Sequence, residues 1–225
     1  MTPSNTMLVQ LAPLLDRLFA QDSASRPALA ALPAMANLTA ADQDRLMRSK
    51  TGYRDFYGHL KDMPLAVSRE AGTLLYMLAR GTGARTIVEF GTSFGISTLH
   101  LAAALRDNGG GRLITTEFEP SKVARARANL TAAGLADLVE FREGDALQTL
   151  ATDLPDSVDL VLLDGAKALY PEILALVENR LKPGAFILAD NADYSPDYLA
   201  RVRDVANGYL SIPFGEDVEL SFRIG

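Results

Sequence analysis

From Thr86 onward the chain alternates short apolar runs with stretches of helical length, and nothing else in it limits the fold so much. The runs fall at 86–90, 112–116, 138–142, 158–163 and 185–189. Their length and β-branched content read as buried strands rather than helices. Helices are expected between them: 68–81 capped by Ser68, 95–106, 121–133 opened by Pro120 and stopped by Gly134, a short 146–150, 170–181 ended by Pro183-Gly184, and 196–206. Repeated strand–helix units with near-continuous apolar strands predict a parallel sheet covered on both faces. Two last runs, 209–213 and 218–224, are joined by Phe214-Gly215-Glu216-Asp217 and read as an antiparallel hairpin. The expectation is therefore an α/β fold with a seven-stranded, mostly parallel sheet.

Residues 1–60 carry no strand signal. Leu8, Leu11, Leu15, Leu18 and Phe19 recur at the spacing of an amphipathic helix, and Asp16 and Arg17 break any signal-peptide run. Arg26-Pro27 and Leu32-Pro33 punctuate this region, and Thr39 caps a helix opening near Ala40. The chain divides into a helical N-terminal extension, 1–60, and a main domain, 61–225. The extension is expected to cover the substrate site or to form the contact face of a homodimer.

Composition excludes several function classes. At 225 residues, 48% hydrophobic and 22% charged, the chain is long enough for one domain with a sizeable core. Its net charge of −6 argues against a nucleic-acid partner, which wants a basic face. With no Cys there is no disulfide, thiolate nucleophile or Cys-based zinc site, and His59 and His100 are too few for a histidine-rich metal centre. No apolar run reaches the ~18 residues of a membrane span, so no membrane partner is expected and the protein is read as soluble and cytoplasmic.

In a parallel sheet of this kind ligands bind beyond the carboxyl ends of the strands. The first strand ends in Glu89-Phe90-Gly91-Thr92-Ser93-Phe94-Gly95-Ile96-Ser97. Its two glycines let backbone approach a ligand, but the G-x-x-x-G spacing is not that of dinucleotide binders. The second strand ends in Glu117, placed either to accept both hydroxyls of a ribose or to lie solvated in a loop. Asp145, after the third strand, suits an adenine amino group or the N-cap of the next helix. The fourth and fifth strands end in Asp164 and in Asp190-Asn191, three hard oxygen donors that suit Mg²⁺ or another hard divalent cation rather than zinc. Lys167 follows Asp164 by three residues. Beside a cation its pKa should fall, fitting it as a general base; the alternative is a solvated surface lysine.

These motifs resemble one family. VEFGTSFGIST, LITTEFEP, LLDGAKALY and ILADNADY, within a segment running from about residue 64 to the end, are similar to the class I S-adenosylmethionine-dependent methyltransferases. Asp-x-x-Lys followed by Asp-Asn narrows the likeness to the Mg²⁺-dependent catechol and caffeoyl-CoA O-methyltransferase group. The resemblance implies a Rossmann-like sheet and S-adenosylmethionine as cofactor. Glu89, Gly91, Ser93 and Ser97, with Thr92 and Gly95 of the same loop, would hold the cofactor's methionine end. Glu117 would bind the ribose, Phe118 would lie against the adenine, and Asp145 and Ala146 would bound its edge. Leu65 and Val67 fall where the family places a segment over the cofactor. Asp164, also beside the cofactor, would ligate the metal with Asp190 and Asn191, and Lys167 would be the catalytic base.

Two departures stand out. Where the family's animal enzymes carry an aromatic residue just before the lysine, this chain has Ala166. The stretch Tyr53-Arg54-Asp55-Phe56-Tyr57-Gly58-His59 either lines the pocket in its stead or packs a helix core. For the family's glutamate near the C-terminus, Glu216 and Glu219 are both candidates. The expected activity is Mg²⁺-dependent methylation of a small aromatic substrate with vicinal hydroxyls, with a non-catechol natural-product hydroxyl as the alternative. A nucleic-acid amino-methylating enzyme is disfavoured because Asp164-Gly165-Ala166-Lys167 replaces its Asn/Asp-Pro-Pro-aromatic motif. A nicotinamide-dependent dehydrogenase is disfavoured by the glycine spacing and the lack of a Tyr-x-x-x-Lys pair. A non-enzymatic nucleoside-binding protein is disfavoured by the complete Asp, Lys, Asp-Asn set.

Overall fold

A computed structural model describes residues 6–31 and 38–225. Five parallel strands, β1 (Thr86–Phe90), β2 (Arg112–Glu117), β3 (Val139–Glu143), β4 (Val158–Leu163) and β5 (Leu181–Ala189), form one sheet with the antiparallel pair β6 (Tyr209–Phe214) and β7 (Val218–Arg223). The spatial order is β3-β2-β1-β4-β5-β7-β6. The order reverses between β1 and β4, which opens a crevice at the carboxyl ends of both strands.

Alternation along the strands divides the core into two layers. Ile87, Leu113, Leu160, Leu162 and Leu188 face α1 (Met7–Ala31), α4 (Arg69–Gly81), α5 (Ile96–Asp107) and α6 (Pro120–Ala132). Val88, Ile114, Val161, Leu163 and Ile187 face the opposite layer, with α7 (Ala146–Thr149), α8 (Tyr170–Val177) and α9 (Pro196–Arg203). Each fully buried Leu or Ile contributes about 1.5–3 kcal/mol relative to exposure. The layered strands therefore hold the crevice on a rigid base.

In α1, Leu11, Leu15, Leu18 and Phe19 are buried, as their spacing predicts. The expected break at Arg26-Pro27 is absent: α1 runs through both Pro13 and Pro27, ending at Ala31. Leu32-Pro33 lies outside the described residues. Thr39 caps α2 (Ala40–Met47) through a reciprocal bond pair with Asp42. A short helix, α3 (Tyr53–Gly58), follows. Two later boundaries also shift. α8 stops at Val177 and gives way to a 3-10 turn, Glu178–Arg180, because Leu181 already pairs with Val158. The register slip between Val158 and Leu160 absorbs Pro183-Gly184 inside β5. α9 stops at Arg203, where Asp204 caps a separate 3-10 turn, Val205–Asn207. No described helix is long and apolar enough to cross a membrane.

Candidate active site

The crevice is a cleft of about 390 Å³. Its floor is the carboxyl edge of β1, β2, β4 and β5, and its roof comes from α1–α3 and the 60–66 segment. Gly91, with φ +100°, makes the crossing possible: a Cβ there would come within 2.5 Å of the Asp164 carbonyl oxygen. Any side chain would push apart the loops that follow β1 and β4. Three non-glycine residues at the rim also adopt positive φ: Leu65 (46°), Ser93 (47°) and Asn191 (48°). Held backbone strain of this kind gathers at ligand sites.

At one end, Glu117 is anchored by backbone. Its Oε2 accepts the Ser93 N–H at 2.9 Å, and its Oε1 accepts those of Phe118 and Glu119, each at 3.0 Å. Phe118 packs edge-on against Tyr53, with ring centroids 6.4 Å apart. Asp145 takes the cap role. Its Oδ1 accepts the Leu147 N–H at 3.0 Å, while Oδ2 accepts Arg54 Nη2 at 2.6 Å. Asp145 and Ala146 nevertheless line the cleft.

At the other end, Lys167 donates to Asp164 Oδ1 at 2.7 Å and to Asp190 Oδ2 at 3.2 Å. At 4% exposure it is no surface lysine. The Tyr170 hydroxyl lies 2.8 Å and 2.7 Å from the Leu163 and Asp190 carbonyl oxygens and donates its one proton between them, which fixes both strand ends. Asn191 donates Nδ2 to Asp217 at 2.9 Å, leaving its amide oxygen free to accept.

The charges here are unbalanced. Burial, and beyond it the neighbouring Asp190, push the Asp164 carboxyl well above its usual range against the pull of Lys167. For Lys167, burial favours the neutral amine, but Asp164, Tyr170 and Asp190 outweigh it and hold the ammonium firmly. A lowered lysine pKa is expected beside a cation; with protein groups alone around it, the pKa of Lys167 is raised instead. Burial and Asp190 raise Asp217 as well.

Among the described residues no three His, Cys, Asp or Glu side chains gather as a metal cluster. The donor set is two carboxylates and one amide oxygen. These hard oxygens, with more buried negative charge than one lysine balances, fit a hard divalent cation.

Of the residues read from sequence, Leu65, Gly91, Ser93, Glu117, Phe118, Asp145, Ala146, Asp164, Lys167, Asp190 and Asn191 line the cleft. Val67, Glu89, Thr92, Gly95 and Ser97 do not. Glu89 points away from the cleft, toward the opening of α5, where the Ser97 and Thr98 hydroxyls of that helix and the Thr115 hydroxyl of β2 each donate to it at 2.6 Å. Burial raises its pKa to about 7 against those three donors. Thr92 is tied to Thr116 O at 3.0 Å, and Gly95 is the left-handed N-cap of α5. Val67 is buried in the α1–α4 layer.

Several cleft residues escaped the sequence reading or were left open by it. Tyr53 and Tyr57 line the cleft, while Phe56 does so and also packs with Leu60 and Met63, so both readings of that stretch hold in part. Burial raises the Tyr57 hydroxyl's pKa, and Lys167, Asp164 and Asp190 lie near enough to act on it. Glu219 is spent on Arg203, at 2.9 Å and 2.7 Å, and on Ser211 at 2.6 Å. Asp217, between the two candidates named from sequence, is the C-terminal acid that reaches the site. Lys122 and Tyr194 also line the cleft. Position in the first turn after β2 is the only sequence signal that pointed toward Lys122.

The methyltransferase domain family matches residues 88–192. The catechol O-methyltransferase of Niastella koreensis is 36% identical over 130 residues, 56% of this chain and 58% of that protein. The catechol O-methyltransferase of Mycobacterium tuberculosis is 36% identical over 140 residues, 62% of this chain and 63% of that protein. The chain thus spans about three fifths of the length of both relatives. Among solved structures, the O-methyltransferase TomG from Streptomyces achromogenes, involved in tomaymycin synthesis and in complex with SAM, superposes with a TM-score of 0.62 at 29% identity. That match covers 92% of this chain and 99% of TomG.

Proposed function

We propose that this chain, whose residues 88–192 match the methyltransferase domain family, transfers a methyl group from S-adenosylmethionine to a hydroxyl of a small vicinal dihydroxy aromatic acceptor, with Mg²⁺ or a similar cation bound. The observation that carries the reading is the placement of Lys167, 2.7 Å from Asp164 and 3.2 Å from Asp190, in the same cleft as the backbone-anchored Glu117. The named activity of the catechol O-methyltransferase relatives supports the acceptor class.

Each residue has a part in this reading. Glu117 orients the ribose, and Phe118 with Tyr53 walls the adenine. Asp164, Asp190 and the Asn191 amide oxygen would hold the cation, which would supply a lowered pKa for an acceptor hydroxyl. With those carboxylates neutralised, the strongest hold on the Lys167 ammonium would be gone and burial would favour the neutral amine, so that Nζ would take up the hydroxyl proton. Tyr57, Met47 and Tyr194 shield the acceptor ring from water. The new C–O bond forms as the S–C bond breaks, so the protein supplies mainly orientation.

Ala166 favours a second reading, a non-catechol natural-product hydroxyl, because it leaves room beside Lys167 where a flat aromatic wall would select planar rings. A panel of catechols and matched single-hydroxyl compounds, assayed with methyl-labelled S-adenosylmethionine, separates the two. Label should enter catechols preferentially. Transfer to single-hydroxyl acceptors alone would favour the second reading, and transfer to neither would refute both acceptor classes.

A further inference from the structure

Lys122 is a buried lysine in the cleft that forms no ion pair among the described residues. It sits in the first turn of α6, is 4% exposed, and its Nζ donates to Ser93 Oγ at 3.1 Å. The Phe94 ring lies beside it, with Nζ 5.9 Å from the centroid, and Glu117, Asp164 and Glu119 act on its charge from farther off. Among the described residues no carboxylate lies within ion-pair distance of it. An ammonium carries three donors, and only one is spent here. Buried charges are ordinarily paired, because leaving one unpaired costs far more than a neutral group would.

The surroundings specify what would pair with it. Ser93, on which Lys122 rests, gives its backbone N–H to Glu117 and its hydroxyl to the Pro64 carbonyl oxygen. Ser93 therefore stands between the ribose anchor and the 60–66 segment that roofs the cleft. A ligand held by its ribose at Glu117 and reacting beside Lys167 must lay its remaining arm along Gly91–Ser93. The roof over that arm is fixed from α1: the buried Asp22 accepts the Ala66 N–H at 3.2 Å and an ion pair from Arg26. Asp22 thus offers no donor to an anion on that side.

We propose that Lys122 binds the carboxylate of the cofactor's amino-acid arm. The inference rests on the S-adenosylmethionine reading above and adds to it a subsite of this chain's own. Lys122 does not touch the reacting atoms; it fixes the arm and neutralises its negative end. Ser93 serves as its bracket.

The test is a binding cycle read by calorimetry, with no turnover required. S-adenosylhomocysteine and its decarboxylated analogue, which keeps the amino group, are titrated into the wild type and into Lys122→Met. A charge-assisted hydrogen bond corresponds to roughly ten- to hundredfold in affinity. In the wild type, loss of the carboxylate should weaken binding by about that factor. Lys122→Met should weaken S-adenosylhomocysteine by a similar factor and leave the analogue's affinity unchanged, so the two losses do not add. Equal weakening of both ligands by Lys122→Met would place the lysine at the ribose and overturn the proposal. So would a wild type indifferent to the carboxylate, a result that needs no variant to fold. If the wild type binds neither ligand, the cofactor reading itself fails, which is a different outcome.

Discussion

Lys167 Nζ lies 2.7 Å from Asp164 Oδ1, three residues back along the chain, and both groups are withdrawn from solvent. The contact joins the end of β4 to the 3-10 turn, Lys167–Leu169, that follows. It holds the lysine in place and also holds it charged, so in the proposed reaction Lys167 would act as a base only once the carboxylates had another partner.

Lys167→Ala leaves Asp164, Asp190 and Asn191 in place, so cofactor binding should survive. Single-turnover methyl transfer should fall by about 10²–10⁴ at neutral pH, the usual cost of losing a general base. Part of the loss should return as pH rises and the acceptor ionises unaided. Lys167→Arg should not rescue, because guanidinium stays protonated. A drop under about tenfold would remove the base role.

Glu117→Ala should weaken S-adenosylhomocysteine binding, measured by calorimetry. Each ribose hydroxyl bonded to a charged acceptor is worth roughly 1.5–3 kcal/mol. The same carboxylate secures the N–H groups of Ser93, Phe118 and Glu119, so the variant should also loosen the loop after β1. Unchanged affinity would take Glu117 out of the site.

Much of this was legible in the sequence, and for a physical reason. Strands buried on both faces must be apolar throughout, so Val158–Leu163 announces itself, and polar residues at strand ends such as Asp164 and Asp190 then stand out. Positions set by tertiary contact were not legible. Asp217 reaches Asn191 only because β7 lies beside β5, a pairing that no local pattern encodes. Glu89 keeps its motif position, but strand alternation turns it away from the cleft toward the α5 hydroxyls. The Pro27 signal misled because proline's local preference against helix interiors was overridden within α1.

Glu89 should make stability depend on pH. Its pKa is about 7 in the folded protein against an ordinary 4.5, so between those values the folded state binds the extra proton. Its contribution is therefore complete below about pH 4.5 and lost as pH rises through 7. The full swing is about 3 kcal/mol. Denaturant melts from pH 5 to 8 should show wild-type stability falling over that range more steeply than that of Glu89→Gln. Parallel curves would mean that the three hydroxyl donors hold Glu89 ionised throughout.

Asp217→Ala should release the Asn191 amide without touching the cofactor end of the cleft. Loss of a residue that orients a metal ligand typically weakens the metal tenfold to a hundredfold. The Mg²⁺ concentration for half-maximal methyl transfer should rise accordingly, while S-adenosylhomocysteine affinity stays level. A shift in cofactor affinity with no change in Mg²⁺ requirement would contradict the assignment.

The most direct measurement is transfer of labelled methyl from S-adenosylmethionine to a catechol, in chelator and then with Mg²⁺ restored. Chelator should abolish transfer and Mg²⁺ should return it. Asp190→Ala should stay inactive with Mg²⁺ present while still folding and binding S-adenosylhomocysteine. Full activity in chelator would contradict the reading of Asp164, Asp190 and Asn191 as a cation site and leave the three as structural groups at the strand ends.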